Sequence, residues 1–267
     1  MPYQHELDIA LKAARAAADI QLENLHQKKH VEIKPDLSPV TNIDKLCETT
    51  IISLLHEAFP DDGFLGEETG STPGSSGRTW VIDPLDGTRL YLKKIPTFSV
   101  LIALVINEEP VVGVMHLPML NEVYYAAQSL GAYCNEKVIH VSSVNQLDQA
   151  YGCAYGHIPK LHEPIAKAVL QQMSQWRFSQ GFMDAYTYGC IASGKLDLCI
   201  NLSDKPWDCA AAACIIKEAG GHYSDIHGAS SITSGSFVIS NGLLHNKIIQ
   251  NIETQLQPLS DPAPAEG

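Results

Sequence analysis

Residues 80–92 read WVIDPLDGTRLYL: three apolar residues run into two aspartates three positions apart, with a proline between them and Gly-Thr directly after. Trp80, Val81 and Ile82 have the character of a strand that delivers Asp83 at its end. Pro84 fixes the backbone in a turn, and Asp86 comes back on the same side. Two carboxylates with the Leu85 carbonyl between them make a hard, all-oxygen donor set, the kind that selects magnesium, manganese or calcium rather than zinc. Gly87 lets a ligand approach the backbone closely, and a helical turn beginning at TRLYL would aim the free amides of Gly87 and Thr88 at an anion. A metal site and a phosphate site would then adjoin.

The flanking segments supply a frame. Upstream, Leu7, Leu11, Ala14, Ala18, Leu22 and Leu25 recur at helical spacing and predict a first helix with one apolar stripe. KPDLSPVTNID breaks it, and Thr41 or Asn42 caps a second helix with Ile43, Leu46, Ile51, Leu54 and Leu55 inward and Asp44 in its first turn. Downstream, WVID, FSVLIALVI, PVVGVMHLP, EVYYAA and KVIHVS are closely spaced strands, which implies an antiparallel meander covered on one face by the two helices. The second half alternates: a helix through AYTYGCIASG, a strand LDLCIN, a helix WDCAAAACIIKEAGG, a strand FVISN and a last helix LLHNKIIQNIETQL, with Gly194 and Gly220-Gly221 as helix stops. A boundary between two layered units is expected near residues 146–151, giving units 1–147 and 148–257, with a disordered tail at 258–267.

Composition excludes some functions. The 267 residues are 45% hydrophobic and 18% charged, enough for one large core or two that share an interface. The formal net charge of −12 disfavours nucleic acid and anionic membrane surfaces as partners. No apolar run approaches the roughly 18 residues of a membrane span, and the charged, helical start is unlike a signal peptide, so a cytoplasmic location is expected. Seven cysteines show no C-x-x-C and no zinc-type spacing and are read as reduced thiols. His116, His157 and His222 sit in no nucleophile motif. GSTPGSSGRT lacks the ending of a nucleotide-binding loop and is read as a mobile loop; Arg89, Lys93 and Lys94 are read as a solvated basic edge, with steering of phosphate or contact with a second subunit as the alternatives.

Two more acidic sites stand out. GFLGEETG presents Glu67 and Glu68 in a glycine-rich loop, and PWDCAAAA puts Asp208 in the first turn of an Ala-rich helix. Asp208 alone could serve the helix dipole, and a glutamate pair alone could be solvated. Beside the Asp-Pro-Leu-Asp-Gly-Thr stretch they read as parts of one acidic centre.

Together SPVTNID, GEE, WVIDPLDGT, GVMHLP, GAYCN and PWDCAAAACIIKEAGG resemble the inositol monophosphatase superfamily of magnesium-dependent, lithium-sensitive phosphomonoesterases, over nearly the whole chain. The resemblance implies an α/β fold of the sugar-phosphatase type, a layered α/β/α/β/α sandwich with an antiparallel N-terminal sheet and a smaller mixed C-terminal sheet, assembled as a homodimer. It implies that Glu67, Asp83, Asp86 and Asp208, with the Leu85 carbonyl, are metal ligands for two or three magnesium ions. Manganese would substitute, and calcium and lithium would inhibit. Asp44 and Thr88 match the pair that activates the attacking water, and Glu68 a second acidic residue beside the metals. The last metal ligand and the substrate pocket would then come from the C-terminal unit.

A small phosphomonoester is the implied substrate, with Asp86, Gly87, Thr88, Asp184, Asn201 and Asp208 around it. Asn201 stands where inositol monophosphatases carry a glutamate, seven residues before the last metal-binding aspartate. KPDLSPVT, MDAYTYGCIASGKLDL and VISNGLLHNKII look more like the histidinol-phosphatase branch, where Asp184 could pair with a substrate amine or simply cap a helix. Histidinol phosphate and inositol monophosphate are thus the leading substrates. A phosphoadenosine phosphate phosphatase and a non-catalytic metal-dependent binding protein are the alternatives.

Overall fold

The computed structural model describes residues 2–181 and 184–256. Helix α1 (Gln4–Asn24) buries Leu7, Ala10, Ala13, Ala14, Ala17, Ala18 and Gln21. This stripe is narrower in side chain than the one expected: Leu22 faces solvent, and small alanines let the helix lie close on the sheet beneath it. The proline-rich segment that reads as a break forms a short hairpin, β1 (Val31–Ile33) and β2 (Pro39–Thr41). Thr41 then caps α2 (Asn42–Ala58): its Oγ1 accepts from the Ile43 amide at 3.0 Å, and Asp44 reaches back to the Thr41 amide at 2.9 Å. Leu46, expected inside, is exposed; the buried face runs instead through Ile43, Cys47, Ile51 and Leu55.

The first sheet has eight strands. They are β3 (Gly63–Gly66), β4 (Gly70–Thr72), β5 (Arg78–Asp86), β6 (Ser99–Ile106), β7 (Glu109–Leu117), β8 (Glu122–Ala127), β9 (Gly131–Cys134) and β10 (Lys137–Val138), with helix α3 (Thr88–Lys93) between β5 and β6. In space they run β10-β9-β8-β7-β6-β5-β3-β4. The part from β5 to β10 is an antiparallel meander as expected, except that β9 was not anticipated and KVIHVS supplies only the two residues of β10. The sequence did not announce β3, which pairs parallel to β5 and carries the Glu67-Glu68 turn at its end. Nor is the Gly/Ser-rich stretch loose: its start forms β4, and the Ser75 and Ser76 amides donate to the Asp61 carbonyl at 2.8 and 3.0 Å.

The second sheet is smaller and mixed. Strands β11 (Tyr151–Tyr155), β12 (Phe178–Gln180), β13 (Leu198–Asn201), β14 (His222–Ser224) and β15 (Phe237–Ser240) lie in the order β12-β11-β13-β15-β14. Among them run α4 (Pro164–Met173), α5 (Ala185–Ala192), α6 (Pro206–Glu218) and α7 (His245–Leu256). Strands β11, β12 and β14 and helix α4 were not anticipated.

The layers are α1 and α2, the first sheet, α5 and α6, the second sheet, then α4 and α7. Because helices cover both faces of the first sheet, β6 is continuously apolar from Val100 to Ile106 rather than alternating. Trp80 and Ile82 pack toward α1 and α2, while Val81 packs toward α6. Helix α6 lies in the middle layer, which explains why Cys209 to Ile216 are all buried. Gly113 of β7 admits it closely: a Cβ there would stand 2.4 Å from the Ala211 carbonyl oxygen. Gly113→Ala should therefore destabilise the fold by about 1–3 kcal/mol or more, since backbone must shift, and a lowered urea midpoint would show it. An unchanged midpoint would contradict this close packing.

Among the described residues no helix is long and apolar enough to cross a membrane. All seven cysteines are free thiols, six of them buried. The predicted tail, 258–267, lies outside the described residues.

Candidate active site

In a regular strand, residues three apart point to opposite faces, so Asp83 and Asp86 would diverge. The expected turn is in fact a bulge inside β5. Asp83 pairs with Leu101 and Asp86 with Ser99, so two residues, Pro84 and Leu85, oppose the single Val100. The extra residue returns Asp86 to the side of Asp83, and both line one cleft of about 820 Å³. Two bonds hold the bulge: the Leu85 amide donates to Asp83 Oδ1 at 3.0 Å, and buried Gln21 of α1 donates to the Pro84 carbonyl at 2.9 Å.

The same cleft collects side chains from distant parts of the chain. Glu67 arrives from the end of β3 and Asp208 from the first turn of α6, and Leu85, Gly87, Thr88, Asp184 and Asn201 also line it. Asp44 stands behind it, fully buried, with Oδ1 3.0 Å from the Thr88 hydroxyl and Oδ2 accepting from the Thr41 amide and hydroxyl. Gly87 adopts φ +76°, a left-handed conformation that starts α3. Asp184 does not cap α5 with its side chain; its Oδ2 lies 3.0 Å from where a Gly87 Cβ would be. The Ala185 amide beside it donates to Asp86 Oδ2 at 3.2 Å, as does the Ser99 hydroxyl at 2.8 Å.

The electrostatics follow from this crowding. Burial, then the charges of Glu67, Asp86 and Asp208, push the Asp83 carboxyl well above the usual carboxylate range. Burial and the neighbours Asp184 and Asp208 do the same to Asp86, and burial with Asp204 and Glu67 to Asp208. Burial also raises Asp44, against the bonds from Thr41 and Thr88. Lys34, from the turn after β1, is ion-paired within the cluster, with Nζ 2.8 Å from Glu67 Oε1 and 2.6 Å from Glu68 Oε1. Burial opposes the Lys34 charge, but those two bonds outweigh it and hold the ammonium above its ordinary range. For Glu68 burial prevails, and its carboxyl is raised to about 7.

Among the described residues no three His, Cys, Asp or Glu side chains are grouped so as to hold a metal ion as they stand. Each carboxylate has a partner within the protein: Lys34 bonds Glu67, the Leu85 amide bonds Asp83, Ser99 and the Ala185 amide bond Asp86, and the Lys205 amide bonds Asp208 at 2.7 Å. The donor set nevertheless fits a hard divalent cation. It is all oxygen, enclosed, and short of positive charge, so that burial and mutual repulsion resist its ionisation.

Several cleft residues gave no sequence signal. Lys34 is a lone lysine before a proline, and Asp204 a lone aspartate before a lysine. Asp204 is buried; its Oδ2 accepts from the Tyr188 hydroxyl at 2.6 Å and its Oδ1 from the Asn201 amide. Asn201 Oδ1 accepts from the Ser203 amide at 3.1 Å. The Asn201 side chain is thus spent on organising Asp204 and Ser203.

The sequence profile of the inositol monophosphatase family matches residues 3–257. A histidinol-phosphatase from Chlorobaculum parvum is 33% identical over 237 residues, covering 88% of this chain and 91% of its own. A fructose-1,6-bisphosphatase/inositol-1-monophosphatase from Aquifex aeolicus is 34% identical over 255 residues, covering 91% and 94%. The crystal structure of the extragenic suppressor protein SuhB from Bartonella henselae superposes with a TM-score of 0.87 at 26% identity, covering 94% of this chain and 99% of that one. Sequence match and layered architecture coincide over nearly the full length, and the chain belongs to the inositol monophosphatase family.

Proposed function

We propose that this chain is a magnesium-dependent phosphomonoesterase that hydrolyses a small phosphorylated alcohol to the alcohol and inorganic phosphate. The observation that carries the reading is the Thr88–Asp44 hydrogen bond at the edge of a cleft lined by Glu67, Asp83, Asp86 and Asp208. Those four carboxylates and the Leu85 carbonyl would hold the magnesium ions. Bound there, the ions would offset the carboxylate charge, hold phosphate oxygens, make a water acidic enough to attack and steady the leaving alkoxide.

The chain's own groups do the rest. Thr88 Oγ1 lies 3.0 Å from Asp44 Oδ1 and 3.1 Å from the Leu85 carbonyl, so its one proton is given to an acceptor within the protein. Its lone pair is then free to accept a hydrogen bond from a water in the cleft, which orients that water for in-line attack. As the water gives a proton to Thr88 Oγ1, the Thr88 hydroxyl proton passes to Asp44 Oδ1. Gly87 and Thr88 begin α3, where amides have no partner within the helix and can bond phosphate oxygens. Lys34, Arg89 and Lys205 line the cleft and attract a dianion despite the net charge of −12.

The alcohol would lie against Asp184, Tyr188, Asn201 and Asp204. Two carboxylates there favour an alcohol that bears a cation, so histidinol phosphate is placed ahead of inositol monophosphate. The test is phosphate release with magnesium, with and without lithium, from histidinol phosphate, inositol monophosphate, phosphoadenosine phosphate and glycerol phosphate, by wild type and Asp204→Asn. An asparagine can still bond Tyr188 and Asn201, so the change removes charge with little disturbance. The preference for histidinol phosphate over glycerol phosphate is expected to fall at least about tenfold, the scale of one charged contact. An unchanged ratio would remove Asp204 from recognition. Magnesium binding with no release from any compound would favour the binding-protein alternative.

A further inference from the structure

We infer that Glu48 is a positioning residue that registers the Glu67-Glu68 turn against the Asp83–Thr88 segment, an inference that rests on the phosphatase reading above. Glu48 has no exposed surface and takes part in no ion pair among the described residues. A carboxylate so placed needs strong hydrogen-bond donors. It has two: the Glu68 amide donates to Oε2 at 3.0 Å and the Thr69 amide to Oε1 at 2.7 Å. Both donors belong to the turn that presents Glu67 and Glu68 to the cleft.

The position of this carboxylate on α2 explains its effect. Glu48 lies four residues after Asp44, so the two acids project from one face of α2 about 6 Å apart along its axis. Asp44 takes the Thr88 hydroxyl, which follows β5; Glu48 takes the amides that follow β3. Strands β3 and β5 are parallel neighbours, and their ladder runs through Gly66 opposite Ile82 and the Glu67 amide on the Ile82 carbonyl at 3.1 Å. Beyond that point the ladder no longer sets where the backbone goes. One rigid helix then fixes both outgoing segments, and with them the separation of Glu67 from Asp83 and Asp86.

Gly66 makes room for this arrangement. A Cβ at Gly66 would stand 2.6 Å from Glu48 Cδ and from its Oε1, so the carboxylate fills the space that a side chain would take. Glycine here permits the close approach of acid to backbone.

The experiment compares wild type, Glu48→Gln and Gly66→Ala. Glutamine offers one acceptor and turns its NH2 against a backbone N–H, while the alanine methyl presses on the same carboxylate and leaves its charge in place. Magnesium binding is measured by calorimetry without substrate, and phosphate release from glycerol phosphate is followed against magnesium concentration. The expected result is magnesium binding at least about tenfold weaker in each variant, the usual range for removing the support of a metal ligand, with activity that recovers in part as magnesium is raised. Magnesium affinity within twofold of wild type in both variants, with only a lowered urea midpoint, would overturn the inference, because a purely structural residue changes stability and not metal affinity. If Glu48→Gln does not fold, Gly66→Ala carries the comparison alone. Wild type that binds magnesium but releases phosphate from none of the four compounds named above would end the phosphatase reading, and the calorimetric comparison would still decide the role of Glu48. Wild type that binds no magnesium would overturn both.

Discussion

Asp86→Asn is expected to lower phosphate release by about 10²–10³-fold or more and, in the absence of metal, to make the protein melt at a higher temperature. The two effects have one cause. Asp86 lies beside Asp83, and burial with the charges of Asp184 and Asp208 raises its carboxyl well above the usual range. Without a cation the cluster is a liability to the fold, and removing one carboxylate relieves repulsion. With magnesium present the same carboxylate becomes a favourable ligand, so the gain in melting temperature that magnesium gives wild type should largely vanish in the variant. The neutral asparagine can still accept from Ser99 and from the Ala185 amide, which keeps the bulge and the start of α5 in place. Melting curves with chelator and with magnesium, beside phosphate release at limiting magnesium, give both readings. Unchanged turnover there would overturn the site assignment, and a lower metal-free melting temperature would overturn the electrostatic account.

Metal-free protein should be more stable near pH 5 than near pH 8, the reverse of the acid sensitivity usual for proteins rich in paired carboxylates. Burial raises Asp204 to about 7 and, with the Glu67 and Asp44 charges against the Lys34 bond, raises Glu68 to about 7; Asp44, Asp83, Asp86, Asp184 and Asp208 are raised as well. A group whose folded pKa exceeds its unfolded value binds more protons in the folded state. Its stability contribution is complete below the unfolded carboxylate pKa near 4 and is lost as the pH rises through about 7. His245 acts in the opposite sense: burial, then His222, lowers it to about 4, so folding opposes its protonation and the fold loses stability as pH falls from about 6.5 toward 4. His116 is lowered by burial in the same direction. Seven carboxyl groups outweigh two imidazoles, and a difference of a few kcal/mol would move the midpoint by about 5–10 °C in a chain of this size. Saturating magnesium should flatten or invert the profile by stabilising the ionised carboxylates. Thermal melts from pH 5 to 8 in chelator would test this, and a midpoint that falls steadily on acidification would contradict it.

Much of the fold was legible in the sequence because its signals are local. The apolar runs of β6 and β7 marked strands and the Ala-rich run of α6 marked a helix, but the sequence reading covered the sheet on one face only; that α6 covers the other face, and is itself enclosed, came from the tertiary structure. Thr41 before Asn42-Ile43-Asp44 carried its own cap. Strand β3 was missed because four residues bounded by glycines have little period to read, and β11, β12 and β14 are equally brief. Leu46 was placed inside because it fits a helical stripe, whereas the packing of α1 selects the Cys47 face.

The candidate site divides in the same way. The sequence by itself determined the types of acid and their motifs: Asp83 and Asp86 around a carbonyl, Glu67 and Glu68 in a glycine-rich turn, Asp208 at a helix start and Asp44 beside a cap. The sequence reading put the two aspartates on one side through a turn at Pro84; three residues of regular strand would set them apart, and it is a bulge opposite Val100 within β5 that brings them together. Only the tertiary structure brought Lys34 onto Glu67 and Glu68, joined Asp204 to Tyr188 and Asn201, and set Glu48 beneath the turn it holds. Those contacts join residues whose separations follow no local period, and each forms because an enclosed charge must find donors or a counter-charge wherever the packed chain provides them.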